Sequence, residues 1–358
     1  MWATGKRIIA TLLLALPSNA VFGATVLTHD TGVVRIAPIV DGLDEPWAVG
    51  FLPGGGLLIT ERGGTLIHFK DGIRNDVSGI PQVSAKGQGG LLDVVVARDF
   101  ARTRTVFLTF AESRGAGAGT ALASAHLSQD ASKLTELHIL YRQKYGSNTT
   151  RHFGSRVVEG KDGFLYVTVG DRGDRLKAQS LAHHNGKVIR VARGGGGGEI
   201  YSYGHRNPQG AALDALGHLW TVEHGPKGGD EVNRPEHGKN YGWPVISYGV
   251  HYSGKKVGEG THKDGMEQPV FYWDPSIAPS GMMIYSGKLW PEWQGDIFVG
   301  SLKFDMISRL DREGDRIMGE ERLFKGKYDR IRDIREAPDG SIYFLAVGDG
   351  ALYRIVPE

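Results

Sequence analysis

Cysteine is absent from all 358 residues, which excludes disulfides and thiolate metal sites and leaves packing and oxygen-ligated metals to hold the fold together. An excess of charge of either sign is lacking too. The formal net charge is +2, and Lys6 and Arg7 supply that excess, since no acid precedes residue 24. Without that segment the chain is neutral and has no basic footprint for nucleic acid. The apolar run Ile8 to Leu16 is about half the roughly 20 residues that a membrane-spanning helix needs, so no membrane span is expected. No long stretch has sustained helical periodicity. Also missing are a nucleotide-binding glycine loop, a Ser-His-Asp elbow and an HExxH zinc helix, so common hydrolase and Rossmann chemistries lose support.

What is present points to a soluble chain with many turns. Hydrophobic residues make up 40% and charged residues 23%, enough to bury a substantial core. The 53 glycines are about twice average usage and lack the period of three of collagen. They cluster between short apolar runs. Residues 1–23 have the layout of a secretory signal: Lys6-Arg7, the apolar run, then Pro17 and small residues, with cleavage expected near Ala20 or Gly23. The expected location is periplasmic or secreted, with 24–358 as the mature catalytic domain.

Gly turns feeding apolar strands recur at 52–60, 161–169, 215–222, 293–300 and 338–346, and Thr105 to Phe110 adds a sixth strand. That scale, about 40 to 50 residues, is the one expected of propeller blades. A pair of β-sandwiches could also be built from such units. The unit returns near both ends of the mature chain, as closure of a ring requires, so the expected fold is an all-β, six-bladed β-propeller. The two longest intervals, 111–155 and 223–292, are expected to be blade-connecting loops that carry function. The pentaglycine Gly194 to Gly198 has no helix behind it to form a phosphate site and reads as a surface loop.

The unusual polar residues fall in a few strings: Arg151-His152-Phe-Gly-Ser-Arg156, Gly170-Asp-Arg-Gly-Asp-Arg175, Gly204-His-Arg206-Asn207-Pro-Gln-Gly210, Glu223-His-Gly225-Pro226 with Asp230-Glu231, Asn240-Tyr241-Gly-Trp-Pro244, Lys303, and Asp329-Arg330-Ile-Arg332-Asp333. A neutral imidazole such as that of His152 can accept a hydroxyl proton near pH 7. Arg206, Lys303, Arg330 and Arg332 would be ordinary strand-end charges singly, and together can cradle an anion. Asp171 and Asp174 resemble either a cation loop or turn caps that accept backbone N–H bonds. Phe271-Tyr-Trp273 reads as sheet packing, with one ring available to line a site.

These strings, with Pro46-Trp47, Gln88-Gly-Gly-Leu91-Leu92 and Ala278-Pro-Ser-Gly281, resemble the soluble quinoprotein glucose and aldose sugar dehydrogenases, in family order and over nearly the whole mature chain. The resemblance implies a six-bladed propeller that holds pyrroloquinoline quinone on calcium and oxidises an aldose sugar, passing electrons to an external acceptor. It makes His152 the general base and Arg206 its catalytic partner. Gln88, Arg206, Asn207, Tyr252, Lys303, Arg330 and Arg332 would contact the quinone. The main-chain oxygens of Gly225 and Pro226 would hold its calcium, and Glu231 and Tyr241 a second, structural one. Glucose-oxidising relatives place an aspartate where Arg151 stands, which leaves the sugar open. The expected product is an aldonolactone, and the expected state a monomer or homodimer. Two rival readings are a calcium-dependent lactonase, with His152 activating water, and a propeller that only binds.

Overall fold

Each of the six turn-strand units is the second strand of a blade, and it is mostly apolar because blades press on it from both sides. Leu57–Glu61, Leu219–Glu223 and Ile297–Ser301 are buried at every position. The computed structural model describes residues 25–29, 32–115 and 117–358; the expected secretory segment 1–23 lies outside the described residues. Nearly all regular structure is strand, in six antiparallel sheets. Five blades have four strands each, spanning 46–76, 91–142, 157–203, 208–273 and 279–323.

The sixth blade closes the ring. Ile331–Glu336, Ile342–Ala346 and Ala351–Pro357 come from the C-terminal end, while Gly32–Val40 and Thr25–His29 come from the N-terminal end. Ile36 pairs with Ile355 across that seam. The innermost strands touch in cyclic order, the sixth against the first. Propeller closure is thus achieved by hydrogen bonds within the sixth blade between strands from the two halves of the chain, and only short inner edges face the central channel.

The core is a set of layers between neighbouring blades. Trp47, Leu58, Leu91 and Phe110 fill the first interface. Phe107, Leu122, Val167 and Val191 fill the second, and Trp220, Val222, Met282 and Ile297 lie between the fourth and fifth blades. Each such side chain contributes about 1.5–3 kcal/mol on burial. A buried polar hub ties the innermost strands together: Arg156 reaches Asp93 at 3.1 Å and Asp333 at 3.0 Å. Arg335 bridges the same two carboxylates, and the guanidinium of Arg156 lies 4.4 Å from the Trp47 ring centre.

Two expectations about loops need correcting. Interval 111–155 is not mainly a connection: Gly117–Leu127 and Leu134–Arg142 are the two outer strands of the second blade, and only 143–156 crosses to the third. Gly117–Leu127 is buried over most of its length behind small residues and Leu134–Arg142 is partly exposed, so neither has the composition of an apolar strand. Interval 223–292 likewise holds Asp230–Asn233, Phe271–Trp273 and Pro279–Ile284. The long excursion 234–270 lies within the fourth blade, between its third and fourth strands, not between blades. The pentaglycine forms the turn between Lys187–Ala192 and Gly198–Tyr203. Phe271–Trp273 is an outermost strand; Trp273 is buried, and Tyr272 stacks 4.1 Å from Tyr248.

Candidate active site

The segments that enter the innermost strands meet at one end of the ring, and several use left-handed backbone: φ is 57° at His152, 54° at Ala278 and 56° at Arg330. Such residues are strained and persist only where their surroundings fix them. His152 is fixed on both sides. Its N–H donates to Gln88 Oε1 at 2.6 Å, and its carbonyl lies so close to Gly170 that a Cβ there would sit 2.1 Å from it. Only glycine fits at 170.

The imidazole is 13% exposed and its Nδ1 is 2.7 Å from Asp171 Oδ1, itself 3% exposed. Burial would raise the Asp171 pKa, but the His152 hydrogen bond and charge, with Gly173 N–H, bring it below the usual carboxylate range. An ionised carboxylate only accepts, so Nδ1 carries the proton and Nε2 is left as the acceptor. Burial lowers the His152 pKa, the Asp171 bond opposes this, and the charges of Arg206 and Arg151 lower it further, for a net fall. The imidazole is therefore a neutral base at pH 7 with a fixed tautomer.

Asp171 is braced in turn. Trp243 Nε1–H donates to Oδ2 at 2.9 Å, Gly173 N–H to Oδ1 at 2.7 Å, and Asn185 Nδ2 to its carbonyl at 3.0 Å. The Trp243 ring also lies 5.4 Å from the Arg206 guanidinium. Arg206 donates from Nη1 to the His224 carbonyl at 3.1 Å, and its backbone N–H bonds to Glu223. Burial lowers its pKa although Asp171 and other acids oppose this.

Beside this pair lies a cavity of about 850 Å³. Its wall includes eight of the predicted residues: Gln88, Asn207, Gly225, Pro226, Tyr252, Lys303, Arg330 and Arg332. His152 and Arg206 stand at its margin, joined to the lining residues Gln88 and His224 by the bonds above. Asn207 Oδ1 accepts from Gly154 N–H at 3.2 Å. Tyr252 is 77% exposed at the mouth. Glu231 and Tyr241 are not in the lining.

Cations outnumber acids in this wall, with Arg62, Lys227, Lys303, Arg330 and Arg332 against Glu45 and Asp274. Among the described residues no carboxylate forms an ion pair with Arg206, Lys303, Arg330 or Arg332, whereas Arg62 pairs with Glu45. Arg332 donates to Gln209 Oε1 at 3.0 Å. Burial, then the charges of Arg330 and Arg156, push its pKa down to about 9. An anion in the cavity would relieve that repulsion. The Nε2 of His224, in the same wall, is buried without a hydrogen-bond partner, which marks a place where an occupant completes the site.

Behind the wall, Glu223 and Glu231 face each other across paired strands. Asn233 Nδ2 donates to both carboxylates at 3.1 Å. Burial and the Glu223 charge push the Glu231 pKa up to about 8. Tyr241 joins this group through His205, whose ring it stacks on at 4.9 Å and whose Nδ1 is 2.8 Å from Glu223. Among the described residues no cluster of three or more His, Asp or Glu side chains could hold a metal. A cation here must therefore take main-chain oxygens as well, a donor set that suits a hard divalent ion.

Residue-by-residue reading missed Asp171 as an orienting group. It is the turn cap that the Gly-Asp-Arg-Gly-Asp string suggested, through Gly173, and it is the partner of His152 as well. The roles of Trp243, His224 and Arg62 had no readable signal beyond their presence in or near the polar strings.

Residues 43–354 match the family model described as Glucose / Sorbosone dehydrogenase. The aldose sugar dehydrogenase YliI of Escherichia coli K12 is 42% identical over 346 residues, covering 91% of this chain and 93% of its own. The structure of the soluble aldose sugar dehydrogenase of Escherichia coli in its apo-form matches with a TM-score of 0.87, over 91% of this chain and 100% of that one. The PQQ-bound form of the aldose sugar dehydrogenase of Streptomyces coelicolor matches with a TM-score of 0.76 at 25% identity, over 90% of this chain and 98% of that one.

Proposed function

The chain belongs to the glucose/sorbosone dehydrogenase family of oxidoreductases, and from that premise we propose that it oxidises an aldose at C1 with pyrroloquinoline quinone and calcium, giving an aldonolactone. The observation that carries this reading is a neutral His152 with its Nδ1 proton held by Asp171, set beside a cavity lined by Lys303, Arg330 and Arg332, which form no ion pair among the described residues.

The residues present fit both groups. Arg332, Arg330 and Lys303 would take the carboxylates of the quinone, with Gln88, Asn207, Arg206 and Tyr252 completing the wall. The carbonyls of Gly225 and Pro226 would hold its calcium. Glu231 and Tyr241 would hold the second ion, whose charge would release Glu231 from its elevated pKa. When bound, the calcium-held quinone supplies the two-electron acceptor for the hydride leaving C1.

This chain's own residues do the rest. His152 Nε2 takes the C1 hydroxyl proton as the hydride departs, and Asp171 stabilises the imidazolium that results. Arg206, poor in water and close to Asp171, supplies positive charge where negative charge grows. The Trp243 ring and indole N–H fix both groups at once. An external acceptor returns the enzyme to its starting state, so two-substrate kinetics are expected to be ping-pong. The whole propeller acts as one catalytic domain, exported behind its N-terminal segment; among the described residues no helix is long and apolar enough to cross a membrane.

The test is to supply the purified chain with calcium and pyrroloquinoline quinone and follow dye reduction with a panel of aldoses. No reduction with any sugar by correctly folded protein sinks the reading, and quinone-free lactone hydrolysis would replace it with the hydrolase. His152→Ala is expected to abolish turnover and to leave quinone binding intact; surviving activity would remove His152 as base.

A further inference from the structure

A buried ammonium normally meets a carboxylate. Lys187, with none of its surface exposed, meets three main-chain carbonyls instead: Asn185 at 2.6 Å, Ala178 at 2.8 Å and Lys177 at 3.0 Å. All three N–H donors are thus used, and all three acceptors lie in the segment 170–186. That segment leaves the second strand of the third blade and returns at Lys187 itself.

The segment is also held by its own side chains. Arg172 donates to the Arg151 and Thr149 carbonyls at 2.7 and 2.8 Å, Gln179 to Asn240 Oδ1 and the Trp243 carbonyl at 3.0 and 2.8 Å, and His184 Nδ1 lies 2.9 Å from the Tyr141 hydroxyl. Only Lys187, however, gathers its middle, 177–178, and its end, 185, on one atom. The segment's one regular piece is the short turn Arg175–Gln179, and Leu176 and Leu181 are turned to solvent. Ala178 is its apolar anchor, packed with Trp243 and Val257. At its end Gly186 has left-handed backbone, and a Cβ there would lie 2.2 Å from the His205 carbonyl. That close approach brings the carbonyls around the Lys187 Nζ.

We propose that Lys187 is a positioning residue, a latch whose ammonium closes segment 170–186 and through Asn185 and Asp171 sets the orientation of His152. The relay is continuous. Asn185 gives its carbonyl to Lys187 and its side-chain N–H to the Asp171 carbonyl at 3.0 Å, and Asp171 holds the imidazole. Burial pushes the Lys187 pKa down to about 7. The ammonium has one N–H for each of the three carbonyls, the neutral amine leaves one carbonyl without a donor, and an apolar side chain of equal length would leave all three unpaired.

Its effect on turnover rests on the proposed reaction; the latch itself does not. The experiment is hydrogen exchange of the metal-free, cofactor-free chain, wild type against Lys187→Met. Amides of 171–186 are expected to exchange at least tenfold faster, with the other blades unchanged. Unchanged exchange in 171–186, or an even rise over all six blades, overturns the latch, and each of these outcomes holds whether or not the chain oxidises sugars. In the reconstituted enzyme kcat is expected to fall about tenfold, with sugar KM within about twofold. Should Lys187→Met not fold, Asn185→Ala cuts the relay and spares the latch. Its kcat is expected to fall and the acid limb of its pH profile to move while 174–180 exchange as in wild type; an unchanged kcat and pH profile overturns the relay.

Discussion

Replacing Asp171 by Asn changes one atom and puts every bond to that side chain in conflict. Oδ1 accepts from His152 and Gly173, and Oδ2 accepts from Trp243. An amide has one accepting oxygen, so one side must face a donor with a donor. If the NH2 turns to Trp243, the His152 tautomer survives but its bond becomes a neutral one, worth about 1–1.5 kcal/mol less than the same bond to a charged partner. If the NH2 turns to His152, the imidazole must protonate Nε2 and loses its basic nitrogen. At about 1.4 kcal/mol per factor of ten, the milder outcome already lowers kcat/KM by roughly five- to tenfold. The sign of the pH effect is fixed too. Asp171 holds the His152 pKa up against burial, Arg206 and Arg151, so its removal moves the acid limb of kcat/KM to lower pH while the plateau falls. The assay is dye reduction against pH by enzyme reconstituted with quinone and calcium. A limb that stays or moves upward, or an undiminished plateau, would refute the dyad.

Arg332→Met should leave the melting temperature of the cofactor-free protein unchanged or higher, since it removes a cation crowded by Arg330 and Arg156. It should weaken quinone binding by about tenfold or more, by fluorescence titration; unchanged affinity would remove Arg332 from the carboxylate cradle. For Glu231, the folded pKa of about 8 lies above the ordinary 4.5, so the folded state keeps a proton that the unfolded chain releases. Its contribution to stability is complete below about 4.5 and is lost as pH rises through about 8. Metal-free protein should therefore melt at lower temperature across that window, and saturating calcium should reverse the loss. Glu231→Gln should flatten the metal-free slope and reduce the calcium response to that of the ion held by Gly225 and Pro226; an equal calcium response in both proteins would refute the second ion.

The propeller was legible because each blade's second strand is buried on both faces and so reads as a mostly apolar run after a glycine turn. Outer strands such as Gly117–Leu127 and Leu134–Arg142 were not legible. Their alternating or small residues, Ala118 and Ala121 among them, resemble loop composition, and only the neighbouring blade shows which face is packed. The same limit governs the site. Gln88, Asn207, Lys303 and Arg332 occupy strings dense in polar residues, and the ring brings them to one cavity as their order along the chain suggested. His152 and Asp171 lie on either side of the Val157–Val169 hairpin, and nothing local says that one side chain ends beside the other.

That hairpin also explains why a base can be built without a cluster of acids. Gly170 lets the His152 carbonyl approach, the left-handed His152 backbone swings its ring toward Asp171, and Gln88, from the preceding blade, locks the N–H. Two blade entries and the loop after the third blade's second strand thus fix one imidazole, and Trp243, from the long excursion of the fourth blade, fixes its carboxylate and flanks Arg206. A neutral base and a cation can stand close together here because Asp171 acts on both, holding the His152 pKa up while opposing the desolvation of Arg206. Removing that single charge should disturb proton transfer and cation strength together, a coupling that a double-mutant cycle of Asp171→Asn with Arg206→Lys would register as non-additive losses in kcat. Additive losses would mean that the two groups act independently across the cavity margin.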